Sequence, residues 1–156
     1  TDELLAHFDS KVWITDIVRR GTIYGRLFGA KVSFIAYPFF VPKEHFYCGN
    51  VKILSVSDIA VMKIIAVSQR GRKRDFFDLF WICKNVKPLK DILDCLDEQY
   101  PQTNHNYHHI IKSLTYFADA DNEPMPTIFF KATWKEIKLF FQSEVKKIAR
   151  ILLKLN

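Results

Sequence analysis

A chain of 156 residues, 49% of them hydrophobic, has enough apolar surface for one domain with a real core, or one domain and a small appendage. Its net charge of +6 favours an anionic partner, with nucleic acid or nucleotide first. Cys48, Cys83 and Cys95 are odd in number, widely spaced and without a CxxC pair, so neither a disulfide framework nor a zinc knuckle is expected. No run is long enough for a membrane span and no signal peptide opens the chain, so the cytoplasm is the expected compartment.

Residues 1–10 read as a short helix with Leu4, Leu5 and Phe8 on one stripe. Three strand-like runs follow at residues 12–19, 22–28 and 31–37. A bend at Gly21 and a hairpin turn at Gly29-Ala30 predict an antiparallel meander. In the third run Val32, Phe34 and Ala36 share one face and Ser33, Ile35 and Tyr37 the other. Both faces are mostly apolar, so this strand is expected to be covered on both sides. Residues 39–50 read as a loop containing Pro42 and a Gly49-Asn50 turn, followed by a short strand at 51–54. Ser55 or Ser57 caps a helix at residues 58–69, which is apolar nearly all round and therefore expected to be buried. A second helix carries KRDFFDLFWICK. Pro88 opens a third that runs to about Tyr100, and a fourth spans residues 107–117. Residues 118–127, ADADNEPMPT, form an acidic loop. In the last helix Trp134, Ile137, Phe141, Val145, Ile148, Leu152 and Leu155 make a core seam, with Lys135, Lys138, Lys146, Lys147 and Arg150 facing away. Strands first and helices later argue an α+β fold: an antiparallel sheet over residues 1–54, then a helical bundle over 55–156, packed as one compact unit.

One charge, Lys63, interrupts the apolar helix. Its neighbours at i±3 and i±4 are Ile59, Ala60, Ala66 and Val67, so no local carboxylate reaches it. Such a lysine must snorkel to water, lose its proton, or pair with an acid from another element. The next helix offers two acids on one face, Asp75 and Asp78. Between the helices stand Arg70, Arg72, Lys73 and Arg74, four cations in five residues. Together these groups have the composition of a phosphate site. The plainer reading is a snorkelling lysine beside acids that serve a helix's first turn.

Other groups are weaker candidates. His105, His108 and His109 have a spacing that can place imidazoles on one helix face, but no fourth ligand is near in sequence, and solvated histidines at a helix start are the plainer reading. Asp119, Asp121 and Glu123 in DADNEP space their acids as a calcium loop does. An EF-hand needs glycine at its sixth position and glutamate at its twelfth, where this chain has Pro124 and Phe130. The loop is expected to be a solvated turn or a contact with a basic partner.

SVSDIAVMKIIAVSQRGRKRDFFDLFWI resembles the nucleotidyltransferase family of AbiEii/AbiGii-type toxins, whose pattern has the M-K of the first helix and the R-G-x-K-R-D-F-x-D-L of the second. GTIYGRLFGAKVSFIAYPFF is similar to the family's sheet, and SLTYFADADNEPMP with WKEIKLFF to its C-terminal segment. The resemblance implies a fold like a minimal DNA polymerase β-type nucleotidyltransferase with a helical C-terminal part. It implies transfer of a nucleotide from an NTP to an acceptor such as tRNA, with Mg²⁺, and an antitoxin as partner. By match of motif Lys63 and Asp75 take the functional positions, and Asp78 and Arg74 are second choices. Lys63 would hold NTP phosphate as a point charge. Asp75 would hold Lys63 in place or accept a proton or hydrogen bond from the acceptor. Arg70, Arg72, Lys73 and Arg74 would follow an RNA backbone.

The chain departs from the family at its start. It contains no Gly-Gly-(Ser/Thr) turn, and Asp119 and Asp121 form its one Asp-x-Asp, far from the position of the family's metal-holding strand. In the family a segment like TDELLAHF would follow that strand. Ser33 stands where polymerase-like relatives often place a third carboxylate. The expectation is therefore the C-terminal bulk of a nucleotidyltransferase: Mg²⁺ and NTP are expected for the full-length protein, whereas this chain alone is expected to bind neither and to be inactive. Its sheet edge would be exposed to pairing with a second chain. The alternative is a non-catalytic module that binds nucleic acid or an antitoxin.

Overall fold

The computed structural model describes residues 2–8 and 11–152, so Thr1, the end of the expected first helix at Asp9 and Ser10, and Leu155 of the last seam lie outside the described residues. Antiparallel sheets are followed by helices, an α+β arrangement. The chain divides into two units, Thr1–Pro38 and Phe39–Asn156. The division falls before the expected boundary at Leu54, and a hairpin groups with the helices.

The first unit holds α1 (Asp2–Leu5) and three strands, β1 (Trp13–Arg19), β2 (Thr22–Leu27) and β3 (Ala30–Ile35), in the order β1-β2-β3, all antiparallel. The β2–β3 turn lies at Phe28-Gly29, one residue before the expected step. Both residues have positive φ, 50° and 82°, as a two-residue primed turn requires. One face carries Trp13, Ile23, Gly25, Val32 and Phe34. There Phe8, Trp13 and Phe34 pack ring to ring at 4.4–5.7 Å. The expected double cover of β3 is corrected: Val32 and Phe34 are half-buried, whereas Ser33 and Ile35 on the other face are exposed. Apolar composition on both faces does not by itself supply a second layer, and the described ring cluster occupies one face. Gly25 is set by close approach, because a Cβ there would meet the Trp13 ring at 2.2 Å.

The second unit opens with a hairpin, β4 (His45–Cys48) and β5 (Val51–Leu54), turned by Gly49-Asn50 with Gly49 at φ 59°. The expected loop at 39–50 thus contains a strand, whose His-Phe-Tyr-Cys is a β-former run leading into a turn pair. Then come α2 (Val56–Arg70), α3 (Lys73–Asn85), α4 (Leu89–Leu93), α5 (Leu96–Gln99), α6 (Tyr107–Ser113), α7 (Ala118–Asp121) and α8 (Trp134–Leu152). Ser55 caps α2: its Oγ accepts the Asp58 N–H at 3.0 Å. Asp58, 1% exposed, accepts from the Lys43 and Glu44 amides at 3.3 and 3.1 Å and from the Gln99 side-chain amide. This buried acid ties the hairpin's approach and α5 to the start of α2.

Three expectations about the helices are corrected. The helix expected from Pro88 to about Tyr100 is two. At the break Cys95 N–H bonds to Ile92 O at 3.2 Å and its Sγ to Asp91 O at 3.2 Å, a tightened turn that interrupts the ladder. The helix expected over 107–117 stops at Ser113, where the hydroxyls of Ser113 and Thr115 take the carbonyls of His109 and Lys112. The acidic loop contains the helical turn α7. In α8 Ile137, Phe141 and Ile148 are buried and Trp134 and Val145 half-buried, as the seam requires, and Lys138 pairs with Asp121 at the surface. Phe76 sits at the centre of the core, 5.2–5.6 Å from the rings of Phe117, Trp134 and Phe141.

Replacing Gly25 with Ala, ordinarily harmless in a strand, is expected to destabilise the three-stranded unit by about 1–3 kcal/mol because the Trp13 indole must shift. Urea unfolding of the variant against the parent checks this; an unchanged midpoint would show that the indole gives way freely.

Candidate active site

Gly71 makes the site. At φ 48° it ends α2 in a left-handed cap, its N–H bonding to Val67 O at 3.1 Å, and the chain reverses directly into α3. The resulting helical hairpin brings Lys63 of α2 against the Asp75/Asp78 face of α3. Lys63 Nζ donates to Asp75 Oδ1 at 2.7 Å and to Asp78 Oδ2 at 2.6 Å. Of the three outcomes open to this lysine, the fold takes pairing.

The pair has an inner and an outer end. Asp75 is fully buried, Lys63 retains 23% of its side-chain exposure, and Asp78 is half-exposed. Asp75 Oδ2 makes no hydrogen bond and faces Arg70 Nε at 3.5 Å. Burial works against the Lys63 charge, but the hydrogen bonds it donates to Asp75 and Asp78 outweigh it and raise its pKa above the usual lysine value. The Lys63 ammonium is therefore a fixed cation across the neutral range rather than a base.

The four cations of the turn separate. Arg70, Arg72 and Arg74 are exposed at the junction of the two helices. Lys73 is 5% exposed, and its Nζ donates to the carbonyls of Asp121, at 3.4 Å, and Glu123. It also lies 5.6 Å from the Trp134 ring centroid. The expectation that Lys73 tracks an RNA backbone is corrected: its charge is taken up by the acidic loop. Most of that loop is exposed, as a solvated turn is, but Asp121 and Glu123 make contacts to basic and aromatic groups of the chain itself. Asp121 accepts from Trp134 Nε1 at 2.5 Å and Lys138 Nζ at 2.9 Å, and these two bonds hold its carboxyl below the usual range.

Beside Lys63 and Asp78 opens a cleft of about 570 Å³, with Ile59, Trp81, Phe129 and Phe130 among its walls. Trp81 and Phe129 were not singled out from the sequence as site residues. The position of Trp81, three residues beyond Asp78 and so on the same face, was the available signal. The histidines do not converge: His109 Nε2 lies 3.0 Å from Ser68 O and His105 packs edge-on to Tyr100 and Tyr107. Mg²⁺ takes oxygen ligands. Asp75 and Asp78 each give an oxygen to the Lys63 ammonium, and among the described residues no group of three or more His, Cys, Asp or Glu stands ready for a metal. These residues do not fit a Mg²⁺ cage. Ser33 is exposed on β3, in the other unit. Among the described residues no helix is long and apolar enough to cross a membrane.

The family model described as "Nucleotidyl transferase AbiEii toxin, Type IV TA system" matches residues 31–151, and the chain belongs to that family. It is also 34% identical over 131 residues to an uncharacterized protein, aq_aa25, of Aquifex aeolicus (strain VF5). That match covers 82% of this chain but spans only 62% of the relative's length. No solved structure matches the chain.

Replacing Lys63 with Met strands Asp75 as a buried carboxylate with Arg70 alone nearby, and is expected to cost about 2–4 kcal/mol at neutral pH. Because the folded lysine pKa is raised, the pairing stabilises the fold fully below the unfolded value of 10.5 and is lost only as pH rises through the higher folded value. Denaturation of parent and variant from pH 6 to 11 should show a constant gap that narrows only at the alkaline end. A gap that closes below pH 9 would contradict the assignment.

Proposed function

We propose that this chain supplies the lysine-bearing part of a nucleotidyltransferase toxin that moves a nucleotide from an NTP to an acceptor, with RNA such as tRNA as the acceptor class and an antitoxin as its partner. The observation that carries this reading is the placement of the Lys63 ammonium: held by Asp75 and Asp78, yet partly exposed at the side of an open cleft. A charge fixed in that way can meet a phosphate oxygen with little reorganisation, which is what phosphoryl chemistry asks of a protein. Asp75 holds the ammonium from the buried side. Asp78, half-exposed, can exchange its bond to Lys63 for water or for a ligand group when phosphate arrives. The described carboxylates form no metal cage of their own; the Mg²⁺ expected for the full-length protein would be held by other groups, and the roles proposed here are those of Lys63 and Asp75.

Arg70, Arg72 and Arg74 are read as the contact to an anionic backbone, and Lys73 is not. A module that binds RNA or an antitoxin without catalysis would use the same arginines, so activity separates the two readings. Labelled NTPs are offered, with total RNA, to the protein as its host produces it. Label on RNA, reduced by about a hundredfold or more in Lys63→Met at matched folded fraction, supports the enzyme. RNA binding without labelling supports the module.

For RNA binding, Arg72→Ala and Arg74→Ala are each expected to lower the salt slope by about one, whereas Lys73→Ala leaves the slope unchanged and lowers stability instead. Filter binding across a salt series, with thermal melts of the same variants, distinguishes them; equal slope losses for all three would contradict the burial of Lys73.

A further inference from the structure

Helix α3 begins without a cap of its own. Its N-cap residue, Arg72, makes no side-chain bond to the first turn, although the first N–H groups of a helix need outside acceptors. The missing acceptor comes from far along the chain: Glu123 Oε2 accepts the Lys73 backbone N–H at 2.8 Å. The same carboxylate places a negative charge at the positive end of the helix dipole. The Lys73 ammonium is in turn held by the carbonyls of Asp121 and Glu123. Asp121, through Trp134 Nε1 and Lys138, fixes that segment to α8. Asp75 lies in the turn that this arrangement closes, and its own N–H bonds to Arg72 O at 3.0 Å.

We propose that Glu123 is a positioning residue: by capping α3 across fifty positions of sequence it sets the place of Asp75, and so of the Lys63 ammonium. The claim rests on the reading of Lys63 and Asp75 as the transferase centre, but it also makes a prediction that needs no turnover. Without the Glu123 acceptor the first turn of α3 frays, and Asp75 Oδ1 no longer meets Lys63 Nζ at 2.7 Å. Misplacement of a group by about an ångström can cost up to about a hundredfold in rate.

Glu123→Ala, Glu123→Gln and Glu123→Asp are compared in the protein as its host produces it. In Glu123→Ala, kcat for labelled NTP should fall by about tenfold or more, with KM within about twofold. Glutamine, whose side-chain oxygen still accepts the Lys73 N–H, should return most of it. The Lys63 ammonium signal in ¹⁵N NMR should shift and exchange faster in Glu123→Ala and return in Glu123→Gln. A loss of overall stability alone would not produce that pattern. Should Glu123→Ala fail to fold, Glu123→Asp, which keeps the charge but not the reach, is expected to show the same losses. Parent-like kcat and Lys63 signal in Glu123→Ala, or glutamine as impaired as alanine, would overturn the proposal. If the unsubstituted protein transfers no nucleotide, the transferase reading falls. The Lys63 signal then decides the positioning claim alone, and an unmoved signal in Glu123→Ala overturns it.

Discussion

A carboxylate with no exposure cannot stay charged without a cation, and Asp75 obtains that cation from Lys63 on the neighbouring helix. This requirement governs the second unit. Lys63 must stand on an otherwise apolar helix, because only from there does it reach α3. The turn at Gly71 must be tight, because the two helices must be close enough for a bond of 2.7 Å. Asp78, one turn on, must share the face of Asp75, so that the ammonium has a second anchor at the solvent side. A buried ion pair is poor evidence of stability for its own sake. Its cost is easier to understand when the ammonium has work to do at the cleft beside it.

The surrounding packing holds this pair in register. Phe76 and Phe77, the residues after Asp75, are fully buried against Trp134, Phe117, Phe130 and Phe141, so α3 cannot rotate without dismantling the aromatic core. The acidic segment secures the start of that helix and α8 together. Two of its carboxylates are engaged: Glu123 is a cap and Asp121 a brace. Thus chemistry-bearing residue types fall into two groups here. Lys63, Asp75 and Asp78 meet at a cleft, whereas Lys73, Asp121 and Glu123 meet in the scaffold.

Much of the site was legible from residue types, for a definite reason. A lysine without an i±3 or i±4 carboxylate, in a helix with no polar face, needs a partner from elsewhere, and the nearest acids sharing a face were Asp75 and Asp78. The meander was legible from its strand-like runs and the glycines between them, and the seam of α8 from its spacing of three and four. What was not legible depends on helix phase and long-range contact. Arg-Gly-Arg-Lys-Arg looks like one charge run, and only the start of α3 at Lys73 decides which cation turns inward. Its acceptors lie some fifty residues on, with no local signal. The break at Cys95 and the end of α6 at Ser113 arise from side chains competing for backbone carbonyls, which a periodic pattern conceals. The strand at His45–Cys48 is short, and its side chains are exposed, so it lacked the apolar alternation that marks a strand.

The central claim is that the clamped Lys63 ammonium is where an NTP phosphate binds. It is tested most directly by following the Lys63 side-chain ¹⁵N signal while the protein is titrated with an NTP, and separately with the corresponding nucleoside. The account predicts a saturable shift of that signal with the triphosphate and none with the nucleoside. A triphosphate that binds while the Lys63 signal stays in place would contradict it, and would leave the lysine as a structural partner of Asp75.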